Sequence, residues 1–566
     1  MANKSIFSSA PRGRSAPVAD AVNEAGGLSY KLGSKHALAQ LAVTGTLSPT
    51  FYADGEAQLG DVVAAAKECE PGYIAKVAVW SRQRGNMKDM PAVLLAHLAS
   101  RGADGIAALK SAWSHVVDSG KMLRNFVQVI RSGKLGRKSL GAAPKKLVRS
   151  WLAGRSAEKL FDDAVGNAPS IADVIKMAHP RPADPARAAL YRYLIGKELD
   201  AEQGHMLPDV VAGFEAFKAG KGDGDPPAVS FQRLTQLKLS KEQWARIAER
   251  GRWHQTRMNL NTYARHSAFK VDGLAEKIAA KLRDPEAVRS AKAFPYQLLA
   301  TYRACSTDVP LACREAVQDA MEVALENVPE IAGDVVVCVD VSGSMQSPVT
   351  GDRGSATTAV RCVDVASLVA SAILRKNRQA RVIPFGTDVC QVELNPRDTV
   401  LTNADKLAKI NGGGTNCSAP LALLNREKAK ADLVLYVSDN ESWVDSSVAD
   451  AILTAGGIIA PAEPPTCKTC GVIHYVSGVP LQSRGTQTMI EWEALRVRSQ
   501  NARLVNVDLQ PNTTVQAPSR KDILNLGGWS DACFGVVASF LAGTLGPDAW
   551  VGEIEKIDLA AQEVRG

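Results

Sequence analysis

The sequence predicts a multidomain α + α/β protein, in which irregular HEAT-like helical repeats are followed by a doubly wound α/β domain. Apolar residues at spacings of three and four recur through residues 30–328, which is typical of amphipathic helices. From residue 331 on, short β-branched runs alternate with helical patterns, which is typical of a parallel sheet covered on both faces. We therefore place a helical domain at residues 1–330 and an α/β domain at residues 331–566.

Helical patterns in the first part follow one another with short polar breaks. They cover residues 38–45, 57–69, 72–85, 91–102, 105–120 and 121–133, each with a Gly or Pro near its end. Helices of this kind pack as pairs in series, but no strict period links one pair to the next, which predicts an irregular solenoid. Residues 220–227 read as a polar loop.

Strand patterns define the second part. They cover residues 334–340, 380–386, 432–439, 456–460 and 502–509. Helical patterns lie between them, and the apolar helix predicted for residues 530–543 is expected to pack on the sheet.

Composition and length exclude several classes of protein. The 566 residues suffice for roughly three or four domains, and 46% apolar with 22% charged residues exclude a fibrous or wholly disordered chain. No window of about 18 residues is both apolar and uncharged, and the first residues lack a secretory signal. We therefore expect a cytoplasmic protein without a membrane segment, whose ten cysteines are mostly reduced thiols.

Positive charge is concentrated in the helical part. Residues 1–330 contain 46 Lys and Arg against 34 Asp and Glu, whereas residues 331–566 contain 21 against 25. Within residues 101–150 the counts are 11 and 2. A local excess of this size predicts a surface that attracts polyanions.

A metal site is predicted at the carboxyl ends of the strands of the α/β domain. Asp340, Ser342 and Ser344 follow its first strand, Gly343 supplies a tight turn, and the donors of two later loops are Thr415 and Asp439. Carboxylate and hydroxyl oxygens suit Mg²⁺, which leaves a position for an incoming ligand. The alternative is an ordinary Ser-rich turn with an Asp cap.

Two basic segments of the helical part are predicted to bind RNA. In the first segment no acid occurs from 119 to 157, and its basic residues are Lys121, Arg124, Arg131, Lys134, Arg137, Lys138, Lys145, Lys146 and Arg149. The second segment supplies Arg252, His254, Arg257 and Arg265, interleaved with rings on which bases could stack. The alternatives are a solvated face for the first segment and, for the second, core positions at Trp253, Met258, Leu260 and Phe269.

The metal motif resembles the metal-ion-dependent adhesion site of von Willebrand factor A domains, which has an Asp-x-Ser-x-Ser motif, a Thr and an Asp in this order. Together with it, four further segments are similar to the Ro family, in which a TROVE module of helical repeats precedes a von Willebrand A domain. These segments are NEAGG at 23–27, ALAQLAVTGTLSPTFYADGEAQ at 37–58, IKMAHPRP at 175–182 and LGGWSDACF at 526–534. The resemblance covers nearly the whole chain.

The resemblance implies a ring of helical repeats with a basic central hole. Proteins of this family bind Y RNA on a basic outer surface and the single-stranded 3′ ends of misfolded or damaged small RNAs in the hole. His179 matches a family motif near that hole and surface. The resemblance further implies a ribonucleoprotein scaffold for RNA quality control, whose partners are small RNA and an exoribonuclease such as polynucleotide phosphorylase, or an RNA ligase.

A metal-dependent protein adaptor without an RNA role is the main alternative. We do not expect an enzyme, because no Ser-His-Asp order, HExxH motif or P-loop is present, and we do not expect DNA binding. Cys467, Cys470 and His474 could hold a structural zinc, but a fourth ligand is not obvious, so a plain loop with free thiols is preferred.

Overall fold

The computed structural model describes residues 15–560 with several gaps. The residues left out within that range are 45–46, 49, 51–53, 86, 167–168, 183, 222–223, 292, 294, 329, 353–359, 447–483, 529–531, 545 and 547–548. Contacts divide the chain into two compact units. One comprises residues 1–62, 292–304 and 318–552, and the other comprises residues 63–291, 305–317 and 553–566. We call them the α/β unit and the helical unit.

Helices follow one another through the first part of the chain, as predicted. They are α1 (Ser34–Thr44), α2 (Gly55–Lys67), α3 (Pro71–Gln83), α4 (Asp89–Leu98), α5 (Gly102–Val116), α6 (Gly120–Arg131), α7 (Ala142–Gly154), α8 (Ala157–Asp163), α9 (Ile171–Ala178) and α10 (Pro185–Leu194). They continue as α11 (Ala201–His205), α12 (Asp209–Lys218), α13 (Phe231–Leu234), α14 (Lys241–Arg250), α15 (Trp253–Met258), α16 (Leu260–Arg265), α17 (Leu274–Arg283), α18 (Pro285–Ser290), α19 (Pro295–Ala304) and α20 (Leu311–Ala324).

The α/β unit is built on a five-stranded parallel sheet. Its strands are β3 (Val335–Asp340), β4 (Arg381–Phe385), β5 (Leu433–Ser438), β6 (Arg503–Asp508) and β8 (Ile523–Gly527). They lie in the order β4-β3-β5-β6-β8. The helices of this part are α21 (Cys362–Lys376), α22 (Val400–Ala408), α23 (Ala419–Arg426), α24 (Gln487–Arg498), α25 (Ala532–Leu541) and α26 (Ala549–Glu555). Strands β3 and β5 are buried throughout, as expected for a sheet covered on both faces.

Three short antiparallel strands join the two ends of the α/β unit. They are β1 (Ala21–Val22), β2 (Leu28–Lys31) and β7 (Thr514–Val515). The loop between β1 and β2 packs on the loop after β5, where Asn23 Nδ2 donates to Ser442 O at 2.9 Å. A side chain at Gly27 would bring its Cβ within 2.0 Å of the same oxygen, so only glycine fits there.

The helical unit packs consecutive helices against each other and also holds the C-terminal segment. Helix α3 packs on α4 and α5, and α4 packs on α6. Lys76 Nζ donates to Glu555 O at 2.7 Å, and His115 Nε2 lies 3.2 Å from Leu559 O. Residues 553–560 thus complete the surface of helices that lie more than four hundred residues earlier.

The predicted division after residue 330 differs from the division by compactness, because β1 and β2 pair with a strand late in the chain. Strands β1, β2, β7 and β8 were not predicted. The predicted strand at 456–460 and the residues Cys467, Cys470 and His474 lie outside the described residues, as does part of the GGWSD segment. Within the described part of the chain, no helix is both long and apolar enough to span a bilayer.

Candidate metal centre and nucleic-acid interface

The predicted metal ligands converge at one edge of the parallel sheet. Asp340 ends β3, Asp439 follows β5, and Thr415 lies in the glycine loop before α23. The side chains of all five predicted ligands are buried, with Asp340 0% and Asp439 1% exposed. The carboxyl ends of neighbouring parallel strands meet at the same edge, which is why the three loops come together.

Hydrogen bonds hold the donor groups in place. The backbone N–H of Ser342 donates to Asp340 Oδ1 at 2.9 Å, and the hydroxyls of Ser342 and Ser344 lie 3.2 Å apart. Ser438, which the sequence analysis did not select, donates its hydroxyl to Asp340 Oδ2 at 2.5 Å. Its position as the last residue of a strand beside β3 was the signal that could have identified it.

Glycines bring the loops together by close backbone contact. The backbone N–H of Gly343 donates to Gly413 O at 2.8 Å. A Cβ at Gly386 would lie 2.1 Å from Gly412 O, so this approach requires glycine. Gly343 begins a tight turn, as predicted, in which the backbone N–H of Gln346 donates to Gly343 O at 3.2 Å, but its φ of −61° is open to any residue. The left-handed position is Gly413, with φ of 75°.

The electrostatics of this edge fit a divalent cation. Burial raises the pKa of Asp340, and burial followed by the charge of Asp340 raises the pKa of Asp439. Asp439 Oδ2 is buried without a hydrogen-bond partner in the described part of the molecule, although the Ser344 hydroxyl lies beside it. Two desolvated carboxylates are costly unless a cation compensates them. Asp340, Ser342, Ser344, Thr415 and Asp439 form a set of hard oxygen donors that suits Mg²⁺.

The first basic segment forms an exposed cationic surface on α6, α7 and the loop between them. Its exposed members are Lys121, Arg131, Lys134, Lys138, Lys146 and Arg149, and Lys145 is half-buried. Among the described residues, no carboxylate forms an ion pair with Lys121, Arg131, Lys138 or Lys146. We call these four side chains the free basic face.

Two residues of this segment have internal partners instead. Arg137 donates from Nη2 to Leu140 O at 2.8 Å and from Nε to Ser139 O at 3.1 Å, and its Nη1 bonds Ala99 O. Arg124 is half-buried against Gly166, donates to Gly120 O, and burial lowers its pKa. RNA binding by these two residues stays a prediction, but their contacts show that they also brace the loops around them.

A cleft of about 1020 Å³ opens beside His179 in the helical unit. Its charged and aromatic lining residues are Arg149, His179, Arg181, Asp184, Arg187 and Tyr191. Arg149 Nε donates to Ala178 O at 2.6 Å, which fixes its guanidinium beside the exposed His179. Arg187 Nη1 is buried with no hydrogen-bond partner among the described residues. Three arginines and a histidine against one carboxylate make this cleft a candidate anion site, and the sequence analysis did not select Arg181 or Arg187.

The second basic segment is divided between surface and interior. Arg252 and Arg265 are exposed. His254 Nε2 lies 2.7 Å from Ala291 O, and Arg257 is 9% exposed with its guanidinium 5.9 Å from the Trp253 ring.

The rings of this segment are mostly internal. Trp253 and Tyr263 are buried, and His266 stacks on the buried Trp244 with ring centroids 4.4 Å apart. The expectation of free stacking rings is therefore wrong for Trp253 and Tyr263. Of the alternative core positions, Leu260 is buried, whereas Met258 is 72% exposed.

Comparison with known proteins gives matches over both parts of the chain. Residues 334–454 match the family model described as the Ro60 vWA domain. The RNA-binding protein RO60 of Deinococcus radiodurans is 24% identical in an alignment over 458 residues that covers 74% of this chain and 83% of the relative. The chain is therefore similar to bacterial Ro proteins along most of its length.

A solved structure supports the fold of this chain. The crystal structure of the Deinococcus radiodurans RO (RSR) protein aligns with a TM-score of 0.56 and 19% identity, over 90% of this chain and 100% of the other. The predicted fold class, helical repeats followed by a von Willebrand A domain with a parallel sheet, is confirmed.

Proposed function

We propose that this protein is an RNA-binding member of the Ro family that holds small non-coding RNA without cleaving it. The similarity to the RNA-binding protein RO60 supports RNA as the ligand. In this proposal the basic surface of the helical unit binds structured, Y-like RNA, and the helical repeats accept single-stranded 3′ ends of misfolded or damaged RNA in a central hole. The setting is RNA quality control or processing in the cytoplasm, with an exoribonuclease or an RNA ligase as partner protein.

The cleft beside His179 is the observation that carries this proposal. Guanidinium groups recognise phosphate through paired, charge-assisted hydrogen bonds, and RNA is the polyanion that offers phosphates in series. Arg149 is already fixed by its bond to Ala178 O, so little side-chain entropy is lost when it binds. Arg187 Nη1 is buried and has no hydrogen-bond partner in the part of the chain that the structure describes, so a phosphate oxygen could satisfy it.

The free basic face extends this site along α6 and α7. Among the described residues its four cations form no ion pair with a carboxylate, although Arg131 helps to lower the pKa of Asp173, and each phosphate that they neutralise releases a counterion. Phosphate contacts fix position and orientation rather than sequence. A surface of phosphate contacts favours recognition of RNA shape rather than sequence. In this proposal the cleft is more selective than the free basic face.

The test is RNA binding by a cleft variant of the full-length protein. We expect Arg181→Ala with Arg187→Met to weaken binding of a structured RNA about tenfold, which corresponds to about 1.4 kcal/mol. Fluorescence anisotropy of a labelled RNA hairpin with a single-stranded 3′ tail measures the affinity. The control is Arg378→Ala with Lys409→Ala, two exposed cations of the α/β unit. Equal affinity of both variants and the native protein would contradict the proposal.

The second candidate function is a metal-dependent protein adaptor. The buried donor set at the sheet edge favours it, because a cation there could accept a carboxylate from a partner protein. The two functions differ in their requirement for metal. RNA affinity that is weak at low salt and indifferent to the cleft variant, together with Mg²⁺-dependent capture of an acidic partner, would favour the adaptor.

A further inference from the structure

Asp508 lies one strand away from the metal centre, at the carboxyl end of β6. Its Cα pairs with that of Ser438 in the parallel register of β5 and β6. The Ser438 hydroxyl in turn donates to Asp340 Oδ2 at 2.5 Å. Paired positions on neighbouring parallel strands place their side chains on the same face of the sheet. Asp340, Ser438 and Asp508 therefore form a row across three strands.

The carboxylate of Asp508 is buried, and only one of its two oxygens accepts a hydrogen bond within the part of the chain that is described. It is 2% exposed, and Oδ1 accepts from the backbone N–H of Gln510 at 3.1 Å. Oδ2 is buried and has no hydrogen-bond partner in the part of the chain that is described. The amide of Asn440 lies beside it and partly offsets the rise in its pKa, but Asn440 Nδ2 and Asp508 Oδ2 do not meet hydrogen-bond geometry.

Three aspartates lie around the buried Cys362 thiol, although among the described residues no three carboxylates are grouped closely enough to hold one metal ion together. Burial and then the carboxylates of Asp439, Asp508 and Asp340 raise the pKa of the buried Cys362 thiol, so all three lie close to it. Burial, followed by Glu441 and Asp439, raises the pKa of Asp508 itself. No lysine, arginine or histidine among the described residues pairs with any of the three aspartates. A bound cation would compensate the charge of these carboxylates when they are ionised.

The loop after β6 is held against the metal-binding loop. Gln510 Nε2 donates to Pro348 O at 2.9 Å, and the Ser347 hydroxyl donates to Gln510 Oε1 at 3.3 Å. These bonds tie the residues that follow Asp508 to those that follow Ser344. The bonds of Gln510 therefore hold the loop that begins at Asp508 in place beside the predicted metal ligands.

We propose that Asp508 is a third carboxylate of the metal centre, which acts as an outer ligand of a divalent cation such as Mg²⁺ or Mn²⁺. The inference rests on the metal-binding role proposed for Asp340 and its partners, and it is independent of RNA binding. With Asp508, the charge of the site exceeds that of the five-residue motif by one carboxylate. Outer partners of metal ligands typically contribute a factor of about 10 to 100 in metal affinity.

The test is Mn²⁺ binding by the full-length protein, measured by isothermal titration calorimetry and by the electron paramagnetic resonance signal of free Mn²⁺. We expect Asp508→Asn to weaken Mn²⁺ binding about tenfold or more. The metal-free variant should melt at or above the temperature of the native protein, because the amide removes a buried charge. The control is Asp445→Asn, which changes a buried aspartate of the same unit that is held by the backbone N–H of Gln487 and should leave Mn²⁺ affinity unchanged.

The outcomes separate the role of Asp508 from that of the metal centre. Loss of Mn²⁺ binding in Asp340→Ala together with native affinity in Asp508→Asn would overturn the role of Asp508 and leave the centre intact. A native protein that binds no Mn²⁺ would overturn both. If circular dichroism shows that Asp508→Asn does not fold, Asp508→Ser replaces it with a smaller polar group, and native affinity in that variant would equally overturn the proposal.

Discussion

At the scale of single residues, His179 combines a backbone role with a proposed ligand role. It ends α9 with φ of 51°, a left-handed conformation that few residues other than glycine adopt. Its backbone N–H still donates to Ile175 O at 2.9 Å, which closes the helix. A glycine would fit this position with less strain. The histidine side chain therefore costs conformational energy that a role in the cleft would explain.

His97 predicts a pH dependence of stability in the helical unit. Burial, followed by the charges of Arg101 and Lys67, lowers the pKa of His97, and its Nε2 is buried without a partner among the described residues. The unfolded chain takes up a proton near pH 6.5, whereas the folded protein does so only at lower pH. The stability that depends on neutral His97 is therefore present above about pH 6.5 and is lost as the pH falls through the folded pKa.

We expect His97→Gln to reduce the loss of folding stability at low pH. The difference in thermal midpoint between pH 7 and pH 5 should be smaller in the variant than in the native protein, as measured by differential scanning calorimetry. His205→Gln changes an exposed histidine and serves as the control. If the native protein and His97→Gln lose stability in parallel, the account of His97 is wrong.

The convergence of the five predicted metal ligands could be anticipated from the sequence, but the partners of the arginines could not. The Asp-x-Ser-x-Ser motif is local, and the strands on either side fix where it lies. Arg137 looks like its neighbours in the sequence, yet it bonds carbonyls of its own loop and of Ala99. Asp508 was missed because its relation to Asp340 depends on the order of strands, which sequence periodicity does not reveal.

At the scale of elements, the helical unit contains a lysine cap between two helices. Lys281 on α17 donates from Nζ to Ala248 O, Glu249 O and Gly251 O at 3.1, 2.6 and 3.0 Å. These carbonyls lie at the carboxyl end of α14, where unpaired acceptors and the helix dipole favour a cation. The lysine thus fixes the end of α14 to α17.

We expect Lys281→Met to lower the free energy of unfolding by about 1 kcal/mol, because the stem is kept while three charge-assisted bonds are lost at a half-exposed site. Lys277→Met is the matched control on the same helix. Lys277 is exposed and pairs with Glu249 at 2.7 Å, so its loss should cost about 0.5 kcal/mol or less. Urea denaturation measures both, and equal effects would show that the cap adds nothing beyond a surface ion pair.

Long-range pairing explains which elements the sequence could not predict. Helices such as α5 and α6 follow from apolar spacing within a dozen residues. Strand β2 has four residues, and its partner β7 lies more than four hundred residues later in the chain. Strand β8 has no exposed face, since all five of its residues are buried. A short or fully buried strand gives little periodic signal, so these elements need the structure.

At the scale of the whole molecule, the two proposed binding functions belong to different compact units. The metal centre lies wholly in the α/β unit, and the cleft and the free basic face lie wholly in the helical unit. The charge divides in the same way along the chain, with the excess of Lys and Arg in residues 1–330. Because the two sites share no residues, a substitution in one site is expected to leave binding at the other unchanged.

We therefore expect Asp340→Ala to abolish Mn²⁺ binding and to leave the RNA dissociation constant within about twofold of the native value, as expected for two sites that do not couple. Calorimetry measures the metal and fluorescence anisotropy measures the RNA, on the same preparation. An equal loss of RNA affinity would mean that the cation contacts RNA or supports the shape of the helical unit.

The most direct test of RNA binding by the basic surface is the salt dependence of RNA affinity after the charge of the free basic face is reversed. We change Lys121, Arg131, Lys138 and Lys146 to Glu, and we leave Arg137 because it bonds the backbone. Arg378→Glu with Lys409→Glu is the control in the α/β unit.

Each phosphate contact contributes about 0.7 to 0.9 to the slope of log affinity against log salt. We expect the reversed protein to remain folded, to bind RNA more weakly, and to have a slope smaller in magnitude by about two or more. A native affinity and a native slope in the reversed protein would contradict this expectation.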